Sequence, residues 1–243
     1  MKKFLFLSLL CISAFSLAAA DVDFRNYRLE KIGKREENII WHTYYSYNAR
    51  DKKSPRALLV GDSVCRGYHE FVRSNLGKKV NLTYWATSNC ITDPFYLQML
   101  ELILDREKFD IIIFNNGLHS LSTDRKTWRK AFALAMDYLA ERLPETKVIV
   151  LNSTPKRDND KRVIEINKLT EEVAKEKSLI LADIYSLCAK WNKKEWRDAY
   201  HFNKKARKMQ ADFVSELILK YIGRTAENLV QLGSETGPDG KLK

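Results

Sequence analysis

The chain has 243 residues, 45% of them hydrophobic and 11% aromatic, which is enough for one sizeable core in one or at most two domains. Its formal net charge of +11 is interleaved with acids, as in KREEN, KRDNDKR and EEVAKEK, so it reads as a solvated surface; without a nucleic-acid-binding motif, no nucleic-acid partner is expected. The four cysteines are too sparse for a disulfide-built scaffold and fit no zinc-ligand spacing.

Lys2 and Lys3 precede the apolar run FLFLSLLCISAFSL, which ends in Ala18-Ala19-Ala20 before Asp21. A basic start, an apolar stretch short for a bilayer and small residues before a polar one predict a cleaved signal over residues 1–20, with Asp21 as the mature N-terminus. The expectation is an exported protein with no other membrane-spanning segment. Its charge is +11 less two lysines, +9, which gives modest steering towards anionic surfaces. Cys11 leaves with the signal, so Cys65, Cys90 and Cys188 remain.

Residues 21–56 are polar and aromatic without a clear period and read as an N-terminal arm wrapped on the domain. From residue 57 the rhythm is regular. ALLVG (57–61) predicts a first strand, followed by a helix through HEFVRSNL. VNLTYWA (80–86) predicts a second strand, and a helix near 94–107 has Leu97, Leu100, Ile103 and Leu104 at helical spacing. FDIIIFNN (109–116) is a continuous apolar strand. An amphipathic helix over 124–143 ends before Pro144. KVIVLNS (147–153), a helix over 160–177 and SLILADI (178–184) come next. The last helix, NKKARKMQADFVSELILKYIG, stops at Gly223. Strands apolar throughout, alternating with helices of ten or more residues, predict a three-layer α/β/α sandwich with about five parallel strands over residues 57–223. Residues 224–243 are polar with Gly and Pro and read as a flexible tail.

In open parallel sheets, ligands bind outside the carboxyl ends of the strands, so the segments at that edge carry the candidate chemistry. Gly61-Asp62-Ser63 lies where the first strand meets the first helix. A serine there projects from a tight turn with its N–H near a helix N-terminus, which suits a nucleophile that also helps hold an oxyanion. Asp and Ser are equally favoured helix caps, so the triplet alone also describes a cap. Asp198-Ala199-Tyr200-His201 falls just before the final helix. An acid three residues before a histidine supplies locally both a base and the group that fixes its tautomer. FDIIIFNNGLHSL delivers two asparagines, a glycine and a histidine to the same edge, and polar side chains there can donate to an oxyanion.

With GDS at 61–63, FDIIIFNNGLHSL at 109–121 and DAYH at 198–201 in that order, the chain resembles the SGNH/GDSL hydrolase superfamily from about Ala57 to Ile222, with HFNKKA similar to the family's last helix start. The resemblance implies a flavodoxin-like sandwich, a Ser–His–Asp triad, and neither metal nor cofactor. It assigns Ser63 as nucleophile, His201 as general base and Asp198 as its orienting acid. It further implies an ester substrate, a short acyl group (acetyl above all) on a carbohydrate. An O-acyltransferase, a lipase or thioesterase, and a non-catalytic glycan-binding protein are the alternatives. Two blocks depart from the pattern. His119 stands where the family has its oxyanion asparagine, so either His119 donates, or Asn115 or Asn116 does. TSNCITDP lacks the family's glycine, and Asn89 is the residue expected to face the site. A flavodoxin-like order makes the first two strands neighbours, which predicts a disulfide between Cys65 and Cys90. Trp191 and Trp196 are read as packing residues in preference to a sugar platform, His42 and His69 as structural, and the Asn81-Leu82-Thr83 sequon is discounted because it falls in a strand.

Overall fold

In the computed structural model, which describes residues 22–29 and 38–222, the alternation of apolar strands and helices resolves into one sheet covered on both faces. The expected signal (1–20) and the expected flexible tail (224–243) fall outside the described residues. The strands are β1 (His42–Ser46), β2 (Arg56–Gly61), β3 (Asn81–Thr87), β4 (Ile111–Phe114), β5 (Lys147–Leu151) and β6 (Ile180–Ala182), in spatial order β1-β3-β2-β4-β5-β6. β2 to β6 are parallel, as expected. β1, within the segment read as an N-terminal arm, pairs antiparallel with β3 and adds a sixth strand to the about five expected.

The helices are α1 (Ser63–Leu76), α2 (Tyr96–Leu104), α3 (Arg125–Arg142), α4 (Lys161–Glu176), α5 (Ile184–Ala189) and α6 (Lys204–Tyr221). Side chains of a strand alternate between its two faces, so each apolar strand feeds two cores. Leu59, Tyr84, Ile113 and Ile149 pack with Val72 and Leu76 of α1 and with Val214 and Ile218 of α6. Leu58, Trp85, Ile112 and Val150 pack on the opposite face with Leu100 of α2, Phe132 of α3 and Val173 of α4. Complete burial of each such side chain stabilises the fold by about 1.5–3 kcal/mol.

The two-sided core corrects the disulfide. Cys65 packs in the cluster on the α1/α6 face and Cys90 in the cluster on the α2/α3 face, so the sheet lies between them. Cys65, Cys90 and Cys188 are free and buried. Neighbouring strands do not make neighbouring cysteines when the chain leaves those strands towards opposite faces. The sequon is likewise structural: Asn81 is 2% exposed and its side chain accepts a hydrogen bond from Asn48.

β3 and β4 flank β2 on opposite sides, so the sheet's order of construction reverses there. The crevice at the carboxyl end of β2 is the place where such a sheet accommodates a ligand.

Candidate active site

Ser63 is the first residue of α1 and follows β2 by a single residue. That residue, Asp62, is extended (φ −122°, ψ −154°), and its side chain accepts the N–H of Val64 at 2.8 Å, which starts the helix. The turn is tight enough to require Gly61: a Cβ there would lie 2.6 Å from Cys65 Cβ. Ser63 is held with its hydroxyl at the sheet edge, and its N–H lies in the first turn, where helix geometry provides no acceptor.

The second half of the site is a closed loop. Trp196 and Phe202 form an antiparallel bridge, Arg197 N–H donates to His201 O at 2.8 Å, and Asn203 N–H donates to Glu195 O at 2.8 Å. Asn203 then caps α6 by accepting from Ala206 N–H. Within the loop, Asp198 Oδ1 accepts the N–H groups of Tyr200 (2.9 Å) and His201 (2.8 Å), a local turn that fixes the carboxylate. Its two oxygens lie 2.9 Å from His201 Nδ1, and His201 Nε2 lies 2.8 Å from Ser63 Oγ. With Nδ1–H donated to Asp198, Nε2 is left as the acceptor for the serine hydroxyl. Partial burial works against the charge on Asp198, but these two amides and the imidazole outweigh it and hold the carboxyl well below the usual range.

The structure thus brings Ser63 to His201 and Asp198, a pair three residues apart in one loop, with His201 138 residues from the serine. It distributes the other expected residues differently. The amide of Asn115 donates to Leu151 O at 2.8 Å and to Ser153 Oγ at 3.2 Å, which ties β4 to the end of β5 and leaves neither hydrogen for an oxyanion. Asn116 donates to Asn89 O and accepts from Ile91 N–H and Ser120 Oγ–H, so it staples the loop after β3 to the turn after β4. Asn89 is 4% exposed, its Oδ1 has no partner, and among the described hydrogen bonds none joins it to Ser63 or His201. His119 lies in a short 3-10 turn, Leu118–Ser120, with its ring edge-on to Trp41 at 6.0 Å between centroids.

Trp191 and Trp196 pack on the buried ring of Phe202, at 5.3 and 4.3 Å between centroids, as residues that support the His201 loop. His69 stacks on Tyr84 at 3.7 Å and shares a hydrogen bond with Tyr47 Oη; burial lowers its proton affinity. His42 stacks on Trp85. Residues missed by the sequence reading line the cleft beside the serine, chiefly Arg66, Arg207 and Gln210. Arg66, one turn along α1 from Ser63, was visible as a helical spacing; Arg207 and Gln210 required knowing that α6 packs beside α1.

No protein-family model and no curated protein sequence matches the chain. Solved structures do, and the fold they share with it is that of the SGNH/GDSL hydrolases. A carbohydrate esterase family 3 protein from Talaromyces cellulolyticus is 14% identical with a TM-score of 0.57, over 68% of this chain and 97% of that one. The psychrotrophic esterase EstA from Pseudoalteromonas sp., inhibited by monoethylphosphonate, is 14% identical with a TM-score of 0.56, over 69% and 98%. A member of the lipolytic G-D-S-L family from Veillonella parvula is 16% identical with a TM-score of 0.52, over 70% and 100%.

Proposed function

We propose that the chain is a serine ester hydrolase of the SGNH/GDSL type, working outside the cytoplasm and removing short acyl groups, acetyl above all, from carbohydrate. The observation that carries this reading is the unbroken hydrogen-bonded path from Ser63 Oγ through the His201 ring to Asp198. His201 Nε2 takes the hydroxyl proton as Ser63 Oγ attacks the ester carbonyl. The resulting imidazolium is stabilised by Asp198 and returns that proton to the departing alcohol, leaving an acyl-serine. Water then attacks the acyl carbon, gives its proton to His201, and the acid leaves as Ser63 Oγ is reprotonated.

The tetrahedral oxyanion needs donors. The N–H of Ser63 is one, and the His119 ring is the side chain we assign as another, since Asn115 and Asn116 are committed elsewhere. Each good donor lowers the barrier by about 3 kcal/mol. The small acyl group is supported by the fold likeness to an acetyl esterase solved with acetate ion. The carbohydrate is supported by the fold likeness to a carbohydrate esterase, and export by the leader over residues 1–20.

A graded series of p-nitrophenyl esters tests the reading. Hydrolysis should fall with acyl length from acetate upward, and Ser63→Ala should abolish it while leaving the thermal melt unchanged. Wild-type rates in the serine variant would overturn the assignment.

A further inference from the structure

The cleft beside Ser63 is built on three guanidinium groups. Arg66 follows the nucleophile by one turn of α1, Arg207 reaches it from α6, and Arg197 from the loop that holds Asp198 and His201. No acidic side chain lines this cleft. Asp198, behind His201, lies 3.4 Å from Arg197 but is already committed to the imidazole. Among the described residues, no carboxylate pairs with Arg66 or Arg207. Three other arginines, by contrast, are paired: Arg125 with Glu165, Arg129 with Glu172 and Glu176, and Arg142 with Glu101 and Asp105. Arg66 and Arg197 are exposed and Arg207 half-buried, so the cleft presents three positive charges that attract an entering anion, most strongly at low ionic strength.

Two further groups show that the cleft is built and not merely charged. Arg207 Nε is buried without a partner, its Nη1 reaching only Gly67 O at 3.4 Å. Gln210, 0% exposed, donates weakly to Cys188 Sγ and leaves Oε1 buried and unpartnered at the same cleft. A buried donor and a buried acceptor left unmet cost stability unless a ligand or water meets them. A carboxylate suits the guanidinium fork, and a hydroxyl suits the amide oxygen. Arg66 is held in place by lying over the Trp41 ring, 4.4 Å from its centroid.

We propose that the substrate is an ester on an anionic, hydroxyl-bearing molecule, an O-acylated carbohydrate whose sugars carry carboxylates, with Arg66 and Arg207 gripping the carboxylate beside the scissile bond. This rests on the esterase reading above and specifies its substrate class. The cleft's charged and polar lining, with apolar contact only from the buried Val64 and Phe202, favours a sugar acid over the acyl chains of an anionic lipid.

The experiment is acetate release from an O-acetylated galacturonic acid oligomer, compared with the same oligomer amidated at its carboxylates, with p-nitrophenyl acetate as the control. For the full-length protein, kcat/KM should favour the acidic oligomer about tenfold or more at ~20 mM salt, mostly through KM, and should approach parity at ~0.5 M, where the screening length is only a few ångströms. Arg66→Gln with Arg207→Gln should lower the acidic-to-amidated ratio towards one, with both oligomers measured on the same preparation. Equal rates on the two oligomers in the wild type, at every salt concentration, would overturn the anionic substrate and leave the esterase standing. So would hydrolysis of p-nitrophenyl acetate with neither oligomer cleaved, or cleavage of phosphatidylglycerol vesicles in preference to both. Failure on p-nitrophenyl acetate itself would instead overturn the esterase reading.

Discussion

The turn after β4 holds Asn115, Asn116 and His119, and hydrogen bonding divides their work. An amide has two N–H groups, and those of Asn115 are spent on Leu151 O and Ser153 Oγ. Asn116 bridges the turn to Asn89 and Ile91. Gly117 is needed for the same packing, because a Cβ there would come within 1.9 Å of Ser153 Oγ. His119, edge-on to Trp41 in the turn that follows, is the side chain proposed above as an oxyanion donor. His119→Ala is expected to lower kcat by on the order of a hundredfold, and His119→Asn to recover part of that loss because an amide also donates. Small and equal effects on kcat for the two variants would remove His119 from the oxyanion hole. At this scale the sequence made Ser63, Asp198 and His201 legible, because each sits in a short motif whose chemistry is local. The division of labour among the asparagines was hidden, since it depends on where β3 and β5 end relative to β4.

The junction of β2 and α1 converts sequence into position. Six strand residues, one cap and Ser63 follow without an intervening loop, so the position of the serine depends on how closely the first helical turn approaches Gly61. Gly61→Ala would put a Cβ 2.6 Å from Cys65 Cβ, a contact with no flexible side-chain end to move aside. The first turn of α1 must then shift, at a cost of about 1–3 kcal/mol in stability. Because Ser63 rides on that turn, its 2.8 Å contact with His201 lengthens too. The expected result is a lower urea midpoint together with a kcat reduced by about tenfold or more, since small misplacements of reacting groups are costly. Cys65→Ala should not restore it, because the clashing atom is Cβ. An unchanged kcat would show that the turn is not what positions the serine. β2 to β5 were legible as apolar runs because both their faces are buried, and β6 because its half-buried residues are apolar too. β1 was not: its five residues alternate irregularly between half-buried and exposed, and its aromatic, polar composition carries no period.

For the molecule as a whole, the N-terminal segment does three things that its sequence conceals. β1 pairs with β3 along five residues and covers what would otherwise be an open edge of the sheet. Trp41, just before it, lies between Arg66 and His119 and so connects this segment to the candidate site. The loop after β1 closes over a buried charge. Arg56, 4% exposed, donates to the main-chain oxygens of Tyr47, Asn48 and Asp51, while Glu107 accepts from Ser46 Oγ and Thr83 Oγ at 2.7 Å each. The Arg56–Glu107 pair itself is a long one at 3.7 Å, so most of the satisfaction of Arg56 comes from the loop. A chain lacking residues 22–52 keeps every strand of the parallel sheet and the whole Ser63–His201–Asp198 path. It loses Ser46 Oγ and the three main-chain oxygens that accept from Arg56, and it exposes the edge of β3. A buried charge deprived of its partners costs about 3–5 kcal/mol, and an unpaired apolar edge recruits another chain. The truncated protein is therefore expected to unfold at a much lower urea concentration and to self-associate in sedimentation velocity. Replacing Arg56 and Glu107 together with Met and Leu in the truncated chain should recover part of the stability but not the monomer, because the charge is removed and the edge is not. A truncated chain that stayed monomeric with the full-length midpoint would show that β1 is an appendage and not part of the fold.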